Sequence, residues 1–125
     1  MSNLISSSER WQAVKKQIRR LCIDAARDHA TVTYSDLIRA LGPDSGLMHR
    51  SPIFHRLLGQ ICHEENDAGR GLLCALVVAK STGMPGKGFF GTLIQERACP
   101  DTPEACWERE RDSLFDYWSS HVDEA

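Results

Sequence analysis

The chain has 125 residues, of which 42% are apolar and 26% charged, and this composition excludes both a disordered chain and a fibrous repeat. Its longest apolar run, Leu72 to Ala79, is far shorter than the ~20 residues that span a bilayer, and the N-terminal residues do not have the pattern of a secretory signal. We therefore predict one cytoplasmic domain over residues 1–125 with no membrane contact. The net charge is −2, and a pI near 6.2 argues against a strong non-specific polyanion binder. Residues 1–29 carry +3, residues 30–100 carry +1 and residues 101–125 carry −6, and such a mildly basic body with an acidic tail is compatible with a local nucleic-acid footprint.

An amphipathic helix is predicted over about residues 8 to 28. Ser6 and Glu9 have the spacing of a capping box, and apolar residues then recur every three or four positions. These apolar residues are Trp11, Val14, Ile18, Leu21, Cys22 and Ala25. The opposite face is basic, and we interpret it as a solvated surface.

A helix-turn-helix is predicted in the next segment. Residues 31–34 favour a short strand, Ser35 is a candidate N-cap for a helix that Gly42 and Pro43 end, and Ser51 and Pro52 open a second helix. Two helices joined by a short loop are typical of this motif.

The remaining segments predict a strand, a wing and a terminal helix. Residues 72–79 read as a strand buried on both faces, residues 80–88 as a glycine-rich wing, and Phe89 and Phe90 as the start of a return strand. An acidic helix follows over about residues 102–121. The predicted fold is therefore α+β, a winged helix-turn-helix-like single domain with its core at about residues 8–95 and flanking N- and C-terminal helices.

Several motifs between residues 31 and 91 resemble one protein family. Thr33–Leu37 contains a Thr-Tyr-x-x-Leu entry, Ser51–Gly59 resembles a recognition helix opened near a proline, and Leu73–Val78 resembles an apolar Pro-Cys-His-Arg-Val-Val strand before a glycine-rich wing. This pattern is similar to that of the C-terminal domain of the O6-alkylguanine-DNA alkyltransferases and their non-catalytic alkyltransferase-like relatives. The resemblance implies a winged-helix fold and DNA binding.

The departures from that family predict a protein that is not an enzyme. The histidine and arginine that follow the family's nucleophilic cysteine are replaced by Ala75 and Leu76, so Cys74 lacks the group that would make it a thiolate. We expect no alkyl transfer. The five cysteines are an odd number without zinc spacing, which indicates reduced thiols and no metal, and no cofactor is predicted.

The predicted function is binding of DNA or another nucleic acid, in a DNA-binding or regulatory role. The candidate contacts lie on the entry motif, the recognition helix and the wing, where groove-facing and phosphate-facing side chains are expected. They are Tyr34, Arg50, His55, Arg56, Gln60, Lys80, Ser81, Thr82 and Lys87.

The alternative is a protein-interaction module, such as an immunity protein, an antitoxin or a defence-system accessory protein. The terminal helix is predicted to expose a set of acids that would suit a basic protein partner: Glu104, Glu108, Glu110, Asp112 and Asp116.

Overall fold

A computed structural model describes residues 7–48 and 50–124, so Ser6 of the predicted capping box lies outside the described residues. The described part is mostly helical. Its elements are α1 (Ser7–Arg27), β1 (Val32–Thr33), α2 (Tyr34–Leu41), α3 (Pro52–Asp67), β2 (Val77–Val78), α4 (Lys87–Arg97) and α5 (Pro103–Ser120). Two 3-10 helices, Pro43–Ser45 and Leu73–Leu76, lie in the connections.

The prediction of an α+β winged helix-turn-helix is wrong. The sheet that the structure describes has two strands, β1 and β2, paired in parallel with Val32 opposite Val77 and Thr33 opposite Val78. Residues 42–51 separate α2 from α3, which is longer than the ~3–4-residue turn of a helix-turn-helix. The described part of the chain is instead a helical domain, in which the very short strand β1 pairs with the equally short, buried strand β2.

The apolar run at residues 72–79 is buried, but only β2 within it is a strand. Leu73–Leu76 form a 3-10 helix against α1, α3 and α5, and residues 72–78 are all buried. The predicted eight-residue strand is therefore wrong. An apolar run of this length does not distinguish a buried strand from a buried helical turn, and here helices rather than neighbouring strands cover it.

The predicted wing is also wrong, because the glycine-rich segment is a closed turn that leads into a helix. The Ala79 N–H donates to the Met84 carbonyl at 2.9 Å, and the Gly83 N–H donates to the Ala79 carbonyl at 2.8 Å. Phe89 and Phe90, predicted to begin a return strand, lie in the first half of α4. Packing of α4 against α5 outweighs the low helix propensity of its glycines.

The three longest predicted helices are confirmed, and one predicted cap is not. α1, α3 and α5 begin within two residues of the predicted positions, and Pro52 and Pro103 each occupy the first helical position. The N-cap of α2 is Thr33, whose hydroxyl accepts from the Asp36 N–H at 3.0 Å, rather than Ser35. The threonine at the end of β1 therefore also begins α2.

The first and last helices pack against each other across the core. Trp118 of α5 is fully buried, and the guanidinium groups of Arg19 and Arg27 lie 5.7 and 5.6 Å from its ring centroid. Arg27 also donates to the His121, Val122 and Glu124 carbonyls at 2.6–3.0 Å. One side chain of α1 thus caps the C-terminal end of α5.

One disulfide joins α4 to α5. Cys99 and Cys106 are bonded, with their Cα atoms 5.7 Å apart, so the prediction that all five cysteines are reduced is wrong for this pair. Cys22, Cys62 and Cys74 are free and buried. Within residues 7–48 and 50–124, no helix has the length and apolar character needed to cross a membrane.

A buried carboxylate links α1, α3 and the loop after α3. Glu65 is 3% exposed, and it accepts from Arg19 at 2.9 Å and from Arg70 at 2.8 and 2.9 Å. Burial alone would raise the pKa of Glu65, but the hydrogen bonds from Arg70 and Arg19 outweigh it and the pKa is lowered. The ionised form of Glu65 therefore stabilises the folded state.

The free energy of unfolding should therefore decrease as the pH falls, and Glu65→Gln should make this decrease smaller. Because the folded-state pKa of Glu65 lies below the unfolded value of about 4.3, its contribution is present above that value and is lost as the pH falls through the folded pKa. Urea midpoints measured between about pH 6 and pH 2 should drop less steeply for the variant. The exposed Glu108→Gln is the control, and equal slopes for all three proteins would contradict this role.

Candidate functional site

An open groove of about 530 Å³ lies between α3 and α4. Its floor is apolar and comes from α3, the 3-10 helix and β2, while polar side chains of α3 lie at its rim. The lining residues are Tyr34, His55, Arg56, Leu58, Gly59, Gln60, Cys62, His63, Cys74, Val77, Gly88, Phe89 and Thr92. This volume is in the range of about 300–1,000 Å³ that is typical of ligand sites.

The groove is wide because glycine lies on both of its walls. Gly59 is in the middle of α3 between His55 and His63, which share its face at a spacing of four, and Gly88 is in the first turn of α4. A Cβ added at either glycine would meet no atom within 4 Å, so close helix packing does not require them. A mid-helix glycine lowers the stability of a helix by about 0.5–1 kcal/mol relative to alanine. At Gly59 the missing side chain leaves open space in the groove.

Tyr34 fixes one end of the groove. Its hydroxyl accepts from the Gly86 N–H at 3.1 Å, and its ring lies 6.5 Å from the Phe54 ring and 5.9 Å from the His55 ring. This side chain, from the first residue of α2, thereby holds the start of α4 opposite α3. Tyr34 supports the groove as well as lining it.

Cations without an acidic partner lie at and near the rim. Arg56 of α3 lines the groove, and Lys87 is next to the lining residue Gly88. Both are exposed, and neither makes an ion pair with the described residues. The mouth of the groove therefore carries two positive charges that form no ion pair with an acid among the described residues.

The start of α4 adds to this positive character. Its N-cap residue, Gly86, has no side chain to accept from the first N–H groups of the helix. Such free N–H groups and the helix dipole favour a negative group nearby. Since Gly88 and Phe89 line the groove, this helix end lies at the groove.

Four of the nine predicted contact residues come together in the groove. Tyr34, His55, Arg56 and Gln60 line it, although the Gln60 side-chain oxygen also accepts from the Lys15 ammonium group at 3.4 Å. Lys87 is adjacent to it, as described above.

The other four predicted contacts do not line the groove. Arg50 is exposed just before α3, and Lys80 and Ser81 are exposed in the turn before α4. The Thr82 hydroxyl accepts from the Met84 N–H and lies 3.2 Å from the Met84 carbonyl, so its hydrogen bonds serve the turn itself.

The sequence interpretation missed most of the floor and the whole α4 wall. The spacing of His55, Gly59 and His63 is a signal for one wall, since residues four apart share a helix face. Cys74, for which the sequence predicted only an unactivated thiol, is 8% exposed and forms part of the floor. Phe89 could not be placed in the groove while it was predicted to begin a return strand after a wing at residues 80–88.

The acidic surface proposed for a basic protein partner is smaller than expected. Glu110 is 7% exposed and bonded to Arg97, and Asp112 pairs with Arg111. The prediction that Glu110 belongs to an exposed acidic face is wrong.

No family model matches the chain, and no curated protein or solved structure matches it either. The resemblance to alkyltransferase-like domains stays a prediction from the sequence motifs.

Proposed function

We propose that the protein binds nucleic acid, with phosphate groups at the rim cations and an unstacked base in the groove. The observation that carries this proposal is an apolar groove accompanied by two cations that form no ion pair with the described residues, Arg56 at its rim and Lys87 next to the lining residue Gly88. Phosphate contacts provide most of the affinity in such complexes, and bases that leave the stack gain from contact with aromatic and apolar side chains.

The groove has the chemistry that a base requires. Phe89, Tyr34 and His55 offer ring surfaces, and stacking on such rings contributes about 1–3 kcal/mol per base. Gln60 and His63 supply hydrogen-bonding groups at the rim that suit base edges. A groove that opens to solvent also suits a single strand better than an intact duplex, because paired bases are not free to enter.

The proposal is for a binding protein rather than an enzyme. The pKa of the Cys74 thiol is raised, first by interaction with the Cys62 thiol and then by burial, which disfavours the thiolate that nucleophilic attack needs. Ala75 and Leu76, next to it, are buried apolar residues. We include a cytoplasmic location in this proposal, because it is compatible with a nucleic-acid ligand.

Arg56→Ala and Lys87→Ala should both weaken binding of oligonucleotides. Loss of Arg56 should cost about 1–3 kcal/mol if its guanidinium contacts a base, and loss of Lys87 should weaken all sequences alike and lower the salt slope by about one. Fluorescence anisotropy with labelled single-stranded and duplex oligonucleotides, repeated from low to moderate salt, measures both effects.

Lys16→Ala is the matched control. Lys16 is exposed on α1, makes no ion pair with the described residues and does not line the groove. Binding that is lost with Lys16→Ala but kept with both groove variants would contradict the proposed site. If no oligonucleotide binds at all, a protein ligand for the groove or for α5 becomes the better explanation.

A further inference from the structure

Two free thiols lie side by side at the floor of the groove. Cys62 comes from α3 and Cys74 from the 3-10 helix, and both line the groove although they are only 6% and 8% exposed. The Cys74 thiol donates to the Leu58 carbonyl oxygen at 2.9 Å, and Leu58 lies one helical turn before Cys62 on α3, which brings the two thiols to the same part of the floor. The groove gives small solutes a route to this pair.

The two thiols differ in acidity in a way that suits stepwise chemistry. Interaction with the neighbouring Cys74 thiol lowers the pKa of Cys62 even though burial opposes this, while interaction with Cys62 and burial raise the pKa of Cys74. Cys22, which is fully buried and does not line the groove, has a pKa raised to about 12 by burial. Cys62 is therefore the thiol that reaches the thiolate form most readily.

We propose that Cys62 and Cys74 form a peroxide-sensitive dithiol that closes reversibly to a disulfide at the floor of the groove. This inference rests on the placement of the two thiols and not on nucleic-acid binding. It assigns the groove a second property, the response of its floor to oxidants.

The chemistry balances with hydrogen peroxide as the oxidant. The Cys62 thiolate attacks one peroxide oxygen, the O–O bond breaks, and the leaving hydroxide takes a proton to become water, which leaves a sulfenic acid on Cys62. The Cys74 sulfur then attacks the Cys62 sulfur, the S–O bond breaks, and a second water leaves with the Cys74 proton. A dithiol reductant returns both residues to thiols by exchange.

Peptide mapping after peroxide treatment tests this directly. Trypsin places Cys62 in residues 57–70, Cys74 in residues 71–80 and Cys22 in residues 21–27, while Cys99 and Cys106 stay together in residues 98–109. The purified chain is treated with hydrogen peroxide, its remaining free thiols are alkylated, and it is digested without reduction. We expect that two of the three free thiols can no longer be alkylated and that a cross-linked peptide joins residues 57–70 to residues 71–80. Dithiothreitol should reverse both changes.

Three serine variants and an arsenical complete the test. Cys62→Ser and Cys74→Ser should abolish the cross-link, whereas Cys22→Ser, the matched buried control, should leave it intact. Phenylarsine oxide bridges two neighbouring thiols, so it should protect Cys62 and Cys74 together from alkylation in the unaltered chain. This part of the test does not depend on whether the variants fold.

Oxidation of Cys62 to sulfinic acid with Cys74 still alkylatable would overturn the proposal, as would resistance of both thiols to peroxide or a cross-link to Cys22. No oligonucleotide is present in these assays. A failure of nucleic-acid binding and a failure of the dithiol are therefore separate results.

Discussion

Replacing Glu110 with alanine should lower the free energy of unfolding by about 3–5 kcal/mol. The Glu110 carboxylate is 7% exposed, accepts from the Leu72 N–H at 2.8 Å, and accepts from Arg97 at 2.8 and 3.0 Å. Without it, a buried N–H loses its acceptor and the Arg97 guanidinium keeps only its bond to Asn66. Urea denaturation followed by circular dichroism measures the loss.

Glu108→Ala is the matched control for this change. Glu108 is exposed on the same helix, so its replacement should alter the free energy of unfolding by no more than about 0.5 kcal/mol. Similar small losses for both variants would show that the contacts of Glu110 do not stabilise the junction of α4, α5 and Leu72.

Gly59→Leu should affect stability and ligand binding in opposite directions. Leucine has a higher helix propensity than glycine, and its Cβ meets no atom within 4 Å at this position, so the folded state should not be destabilised. The side chain would, however, fill the groove between His55 and His63. Excluding a stacked base should weaken binding by about 1–3 kcal/mol, which is roughly 5- to 150-fold in the dissociation constant.

Gly91→Leu provides the same substitution away from the groove. Gly91 is exposed on α4, a Cβ there also meets no atom within 4 Å, and it does not line the groove. Anisotropy titrations and thermal melts of the two variants should separate a filled groove from a general effect of leucine on a helix. Equal affinities for Gly59→Leu and the unaltered chain would place the ligand elsewhere.

Three helices could be predicted from the sequence because their local signals agree with their packing. α1 has a regular apolar face, and α3 and α5 each begin with a proline at the first helical position after a serine or threonine. Periodicity and end signals of this kind depend on the chain nearby and not on the rest of the fold. They were sufficient to place these elements but not to define the fold class.

The prediction of the fold class was wrong because of two segments whose structure depends on residues distant in the sequence. Residues 73–76 form a 3-10 helix because helices surround them, and the Trp107 indole N–H donates to the Ala75 carbonyl at 2.8 Å. α4 contains Gly88 and Gly91, which disfavour a helix locally, and its end is held to α5 by the Cys99–Cys106 disulfide. Neither set of contacts has a signal in the local sequence.

The same error limited what could be predicted of the groove. Residues on α3 were selected because they lie on the polar side of a predicted recognition helix, and three of them do line the groove. The opposite wall was not predicted, because residues 80–88 were interpreted as a wing and Phe89 and Phe90 as the start of a return strand. The Cys62–Cys74 pair joins positions twelve residues apart, so only the tertiary fold brings these thiols together.

The contact between α1 and α5 has a consequence for the synthesis of the chain. The face of α1 that Trp118 covers is made before Trp118 and before the carbonyl groups that accept hydrogen bonds from Arg27. At about 5–20 residues per second, Trp118 is added roughly 5 to 18 s after Arg27. During that interval the face of α1 that packs against α5 lacks its partner helix, and such transiently exposed apolar surface favours contact with other chains and with chaperones.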